Sequence, residues 1–332
     1  MKIGVRLAAG APLPDLVAIA RRAEAAGLSH IWLPDSPLNF REVWTTLGAL
    51  AVSTERIGLS ASVTNFVTRH VSVTASAART LAEVAGDRFV LGIGSGDSAI
   101  GYSGLRASRL PELRAGVEEL RRYLSGEEIE PGVRLRHATP LPIFLAAGGP
   151  KTLQLAGATA DGVITSLTRF DERRRTVEAA AVAAGRGGQV EYVVLAPSLV
   201  TDDIDRDAMQ FSHLAVRVAQ IEGTAMFEQA GVRISPPDHQ HGASGDVGHP
   251  NSVAEGMASA AQFLSPEAAA WYVRHCTVSG TPQDMVAALT RLRDLGADRV
   301  TLTPPAGTPE GLIETLADVI PAFAAAKSMA PA

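Results

Sequence analysis

Residues 75–97 read ASAARTLAEVAGDRFVLGIGSGD, and the fold is decided by how this stretch is parsed. Its first half belongs to a predicted helix, Val73–Val84. Its second half holds a short strand, Arg88–Ile93, that runs straight into the glycine-rich loop Gly92–Ser98. Helix, strand and loop in that order are one turn of an alternating α/β chain.

Working outward, the same alternation recurs. Predicted strands lie at Lys2–Leu7, Ser29–Leu33, Ile57–Ala61, Pro142–Ala146, Gly162–Thr165, Glu191–Leu199 and Arg299–Leu302. Between them, helical periodicity marks Leu13–Ala26, Glu42–Val52, Leu110–Leu124, Asp171–Ala184, Thr281–Leu295 and Leu312–Ala324, with a further helix opening at Thr152–Ala156. Gly27 is a plausible stop for the first of these helices. This rhythm predicts a parallel sheet with helices outside it, and eight repeats close a (β/α)8 TIM barrel more readily than they build an open doubly wound sheet, the alternative. The rhythm breaks at about residues 223–269, which are expected to form an insertion after strand seven on the barrel rim. Residues 1–326 are therefore expected to be one barrel domain, and 327–332 a frayed tail.

Bulk composition narrows the function. Net charge is -5 and no segment is strongly basic, which argues against nucleic acid and for a small-molecule partner. The single cysteine, Cys276, can form neither an internal disulfide nor a Cys-rich zinc site. The N-terminus lacks the apolar core of a signal peptide, and no apolar run is long enough to span a membrane. The expectation is a soluble cytoplasmic enzyme.

In such a barrel the chemistry sits on loops that follow the strands. After strand two comes Asp35, either an acid in the barrel mouth or a cap for the next turn. After strand three come Ala61, Ser62, Val63, Thr64 and Asn65, small enough to let backbone approach a flat ring. Arg69 and His70 follow them, as an anion site or as a structural pair. After strand four, Gly94, Gly96 and Asp97 lack the Gly-Lys-Ser/Thr ending of a nucleoside triphosphate loop, and read as space for a ring or its tail. After strand five, Ala147, Gly148, Gly149, Pro150 and Lys151 lead into a helix start, where backbone amides favour an anion such as phosphate and Lys151 adds charge. An ordinary Gly-Pro helix entry is the alternative there. His239, His241 and His249, with Asp238 and Asp246, lie in the insertion without a helical His-x-x-x-His spacing, so no metal site is expected.

Taken in order, these loops resemble the bacterial luciferase-like superfamily, and within it the deazaflavin-dependent branch typified by methylenetetrahydromethanopterin reductase. The stretches that carry the resemblance are Ala61–Arg69, Ala75–Asp97, Ala147–Gly162 (AGGPKTLQLAGATADG) and Val278–Val300 with Gly280-Thr281-Pro282. The resemblance implies a TIM barrel with an insertion, and FMN or coenzyme F420 as cofactor. It also implies a non-proline cis peptide at Ser62–Val63 in a bulge of strand three. Asp35 matches an acid at the cofactor ring, Gly94–Asp97 the loop beside the cofactor, and Ala147–Lys151 its phosphate loop. Thr165, at the end of strand six, is placed in the same cofactor site.

Two departures bear on the reaction. The methanopterin reductases carry a glutamate at the end of strand one, where this chain has Arg6, which points to a different and anionic substrate. Many relatives follow the matching Asp with His, and here it is Ser36. The expected function is an F420-dependent hydride transfer with Asp35 or Asp97 as proton donor and Arg6 at the substrate. An FMN-dependent monooxygenase is the alternative, and a non-catalytic flavin-binding barrel a third reading. The resemblance also implies a homodimer, and helices Glu42–Val52 and Val73–Val84 are apolar on more faces than one barrel needs.

Overall fold

The computed structural model describes residues 1–96, 98–101, 103–238, 253–305 and 309–326. The predicted strands appear as β1 Lys2–Arg6, β2 His30–Leu33, β3 Gly58–Thr64, β4 Phe89–Ile93, β5 Ile143–Ala146, β6 Gly162–Ser166, β7 Glu191–Pro197 and β8 Arg299–Thr303. They close into a barrel in chain order. Neighbours from β1 through β7 pair in parallel. Closure excludes the open doubly wound alternative.

The strands read as continuous apolar runs because each is buried on both sides, by helices outside and by side chains within. Trp32, Val90, Phe144, Ile164 and Val193 form one buried cluster. Trp32 on β2 and Phe144 on β5 have ring centroids 6.4 Å apart. Their strands are not neighbours, so the rings meet through the barrel interior, which is a packed core rather than a pore.

Local chemistry sets the helix boundaries. Helix Val43–Ser53 is capped by Glu42, whose carboxylate accepts from Thr45 N. Helix Val71–Ala85 is capped by His70, whose ring nitrogen accepts from Ser72 N. Helix Leu110–Ser125 stops at Gly126 in the left-handed region, φ 80°, where a side chain would be strained.

The chain packs as two compact units: Met1–Leu195 with Leu295–Thr301, and Ala196–Asp294 with Leu302–Ala332. In the second unit, the excursion after β7 is longer and more helical than expected. Helices Ser212–Glu222, Ala225–Gln229, Val253–Ala260 and Pro266–Cys276 all precede the return at Pro282–Asp294. Phe211, Val216, Phe227, Leu264, Tyr272 and Cys276 share one buried cluster there. Gly and Pro content marks only the irregular part of this segment. Its regular part has ordinary helical periodicity and does not announce that it builds a separate core. Cys276 is buried as a small hydrophobe. Among the described residues, no helix is long and apolar enough to cross a membrane, and no group of His, Cys, Asp or Glu is arranged to hold a metal ion. His239, His241, Asp246, His249 and the tail 327–332 lie outside the described residues.

Candidate active site

The candidate site is built on the ends of β1 to β6, all within the first unit. Its centre is β3. The strand's register against β4 shifts between Ala61 and Thr64, and the Ser62–Val63 peptide inside that bulge is cis, as the resemblance implies. The neighbouring strand accommodates it. A Cβ at Gly92 would lie 2.2 Å from Ala61 O, and one at Gly94 would lie 2.5 Å from a Val63 methyl. These glycines are therefore required by close approach to β3 itself. Gly94 N donates to Thr64 O at 2.9 Å, which locks the loop after β4 onto the bulge. Gly96 has φ +94° and would set a Cβ 2.1 Å from Ile100, so it too admits no side chain. Asp97 lies outside the described residues.

Asp35 stands just past β2 and is buried. Its Oδ2 accepts from Thr64 Oγ1 at 2.7 Å. Burial raises the carboxyl pKa above the ordinary value, opposed by the Thr64 hydrogen bond and the Arg69 charge and aided by Glu42. Desolvation outweighs the opposing contacts because a carboxylate loses far more hydration than one hydroxyl replaces. Asp35 therefore does not act as a helix cap. Nor does it pair with Arg6, which ends β1 half-buried and lies in register with Trp32. Arg69 instead pairs with Glu42 at 2.7 Å and lies 6.0 Å from the Trp44 ring centroid. Arg69 and His70 thus take the structural reading.

Asn65 is buried, and its Oδ1 accepts from Val67 N and Thr68 N, both at 2.9 Å. It shapes the loop after β3. Ser62 and Ser36 are buried, and their hydroxyls have no hydrogen-bond partner among the described residues. Buried hydroxyls left this way are costly in a finished core and fit a site that a polar ligand completes.

The loop after β5 has a different character. Ala147 is buried, and its N–H donates to Ile164 O at 2.9 Å. Gly148, Gly149, Pro150 and Lys151 are exposed. Gly149 precedes helix Pro150–Thr159 in extended conformation, φ -85° and ψ 154°, with no side-chain cap. A Cβ on Gly149 would meet nothing within 4 Å, and one on Gly148 would meet only Arg173 Nη2 at 3.9 Å. Neither backbone angle nor packing calls for glycine here. The open space beside them has room for a close ligand, and the residues fit a cofactor's anionic tail. Lys151 lines a groove of about 1110 Å³ together with Arg114, Leu155, Glu172, Arg175 and Ala179.

Arg173 was not visible as a site residue in the loops, because it sits on a helix. Helix Phe170–Ala183 buries Phe170, Arg173, Val177 and Ala181. The signal was an arginine interrupting an otherwise apolar stripe. Its Nη1 donates to Thr165 Oγ1 at 3.3 Å and also to Ser166 Oγ. Thr165 and Ser166 thereby anchor the Arg173 guanidinium at the end of β6.

The luciferase-like monooxygenase model matches residues 1–299 of the chain. A 5,10-methylenetetrahydromethanopterin reductase from Methanolobus tindarius is 28% identical over 326 residues, spanning 92% of this chain and 95% of the relative. An F420-dependent glucose-6-phosphate dehydrogenase from Amycolatopsis mediterranei is 29% identical over 189 residues, 49% of this chain and 57% of the relative. In fold, the coenzyme F420-dependent tetrahydromethanopterin reductase of Methanopyrus kandleri superposes with a TM-score of 0.75 at 20% identity, covering 97% of this chain and 99% of that one.

Proposed function

The chain belongs to the luciferase-like monooxygenase family and is an oxidoreductase, and on that premise we propose that it uses coenzyme F420 to move a hydride to or from a small organic substrate. The observation that carries the cofactor reading is the F420 dependence of the Amycolatopsis relative, joined to a site whose small-residue bulge between Ala61 and Thr64 and open Gly148–Gly149 loop fit a flavin-like ring and an anionic tail. When bound, F420 supplies two-electron hydride chemistry, while the protein supplies orientation and proton management.

Asp35 is the proton donor in this reading. Its raised pKa favours the protonated form, and the Thr64 hydroxyl on Oδ2 leaves Oδ1 to carry and release it. Asp97 is the second acid proposed at the mouth. The small side chains of Ala61, Ser62, Val63 and Thr64 let the bulge lie against a planar ring, and the buried Ser62 hydroxyl offers it a polar contact. Arg6, at the end of β1, orients an acidic or carbonyl group of the substrate, since a guanidinium fork matches a carboxylate.

The working molecule is proposed to be a homodimer. Val52, Val73 and Val84, on helices Val43–Ser53 and Val71–Ala85, are 72%, 50% and 48% exposed. A groove of about 600 Å³ between these helices is lined by Trp44, Gly48, Ser76 and Ala77. Burying this face would remove apolar surface from water. Light scattering is expected to give twice the chain mass, and a monomer overturns the dimer.

Fluorescence titration tests the cofactor. F420 is expected to bind with a dissociation constant on the order of micromolar or tighter. FMN binding far more tightly than F420 would replace the deazaflavin reading with the oxygen-using one.

A further inference from the structure

We infer that Glu42 and Arg69 are positioning residues for Asp35: their ion pair fastens the loop after β2 to the loop after β3 and sets the balance of charge beside the acid. The inference rests on the proposed role of Asp35 and adds to it the pair that governs its proton.

The two loops are joined twice. At the base, Thr64 Oγ1 donates to Asp35 Oδ2 at 2.7 Å. At the outer end, Arg69 Nη2 donates to Glu42 Oε1, also at 2.7 Å. Asp35 lies early in the first loop, and Glu42 closes it as the cap of helix Val43–Ser53. Thr64 ends β3, and Arg69 stands at the far end of the second loop, before helix Val71–Ala85. Each loop is turned back between the two joints by its own bonds. Ser36 O accepts from Asn39 N and Phe40 N, both at 2.9 Å, in the first. Asn65 Oδ1 takes Val67 N, Thr68 N and the Thr68 hydroxyl in the second. The outer pair therefore has a fixed place relative to the inner bond, as a supporting shell must.

The charges themselves are held in place. Thr45 N donates to Glu42 Oε2 at 2.7 Å, which leaves Oε1 for Arg69. The Arg69 guanidinium lies 6.0 Å from the Trp44 ring centroid. Burial raises the Glu42 carboxyl, but the Thr45 and Trp44 contacts and Arg69 outweigh it and hold the group below its ordinary value, so Glu42 is ionised. The two side chains are 25% and 43% exposed, so solvent screens what the pair adds to stability. Its effect on a drier neighbour is less screened. Burial raises the Asp35 carboxyl most, Arg69 pulls it down and Glu42 pushes it up. Opposite charges in contact largely cancel at a third group, so the intact pair leaves Asp35 to burial and Thr64. Arg69 alone would draw the proton off, and Glu42 alone would bind it too tightly for release. Of the other elements around Asp35, β1 ends in Arg6, and the loop after β4 carries Asp97, outside the described residues.

The test follows the Asp35 carboxyl directly, in full-length protein labelled with carboxyl-13C aspartate. Its signal is assigned by its loss in Asp35→Asn, and its titration midpoint is read by NMR in wild type, Arg69→Gln, Glu42→Gln, Arg69→Lys and the double glutamine variant. Glu42→Gln keeps a side-chain oxygen for Thr45 N while removing the charge. Arg69→Gln is expected to shift the midpoint up and Glu42→Gln to shift it down. The double variant should return close to wild type, and so should Arg69→Lys, which keeps the charge. Both single shifts should shrink as salt is raised. A loop that is merely loosened would rehydrate Asp35 and lower the midpoint in both single variants. Shifts of the same sign, or no shift in either, overturn the inference. Should one single variant fail to fold, the sign of the other decides. The experiment needs neither cofactor nor substrate, so it is independent of the proton-donor reading, which fails separately if Asp35→Asn keeps full turnover.

Discussion

At the start of β2, His30 is fully buried, and its Nε2 lies 3.0 Å from Thr301 Oγ1. Just past the end of the same strand, Asp35 is buried against Thr64. Burial drives His30 down to about 3, with the Arg299 and Lys2 charges pushing the same way. It drives Asp35 up. Both shifts favour the neutral form, for the same reason: a dry environment penalises charge whichever its sign. The consequences differ because of position. The strand-start end of such a barrel serves stability, and the strand-finish end carries the chemistry. His30 is a neutral strut, whereas Asp35 lies at the end where chemistry is expected and is the acid proposed for it.

The largest expected effect breaks the His30 half of this comparison. The folded pKa of about 3 lies below the ordinary 6.5, so the unfolded chain binds more protons between those values. Stability is therefore fully present above about pH 6.5 and falls by about 1.4 kcal/mol per pH unit as the pH drops toward 3. Urea midpoints measured across that window should show this slope, and His30→Gln should flatten it. An unchanged slope in the variant assigns the acid sensitivity elsewhere.

The Asp35 half should behave in reverse. With a raised carboxyl pKa, stability is fully present below the ordinary value of 3.8, is lost as pH rises from there through the folded value, and stays lower beyond it, because in that window the native state holds a proton that the unfolded chain has already released. Asp35→Asn should therefore raise the melting temperature more at alkaline than at acid pH. The same variant should lower turnover by roughly 100-fold if Asp35 supplies the proton. Full turnover in Asp35→Asn would assign that role to Asp97 or to solvent.

Arg6→Lys is a smaller perturbation, since charge is kept and only the fork is lost. It is expected to raise the Michaelis constant or lower turnover by about tenfold, with cofactor affinity and melting temperature near wild type. A lower melting temperature with unchanged kinetics rejects a substrate role for Arg6.

The smallest effect is expected at Lys151, which is exposed. Lys151→Ala should weaken cofactor binding by under about 1 kcal/mol, and less still at high salt. A larger loss, measured by titration, would assign the phosphate contact to Lys151 itself.

How much of this was legible beforehand follows from the range of each signal. Strand positions were readable because a strand buried on both sides must be apolar throughout, as in Phe89–Ile93. Helix Pro150–Thr159 was legible from Gly149-Pro150, since proline is tolerated at a first turn and few other helical positions. The Asp35–Thr64 bond was not, because its partners are 29 residues apart and meet only when β2 and β3 pair. The structural reading of Arg69 was open until Glu42 came within 2.7 Å.

The sequence by itself determined the alternation of strands and helices, because apolar periodicity is local, and it carried the family resemblance, which implied the bulge at Ser62–Val63. Only the tertiary structure decided which titratable groups are dry, that the glycines at 92 and 94 serve β3, and that the buried Arg173 donates to Thr165 at the end of β6. Burial and charge environment are properties of neighbours brought together by barrel closure, and a linear pattern carries the residue type without the neighbours.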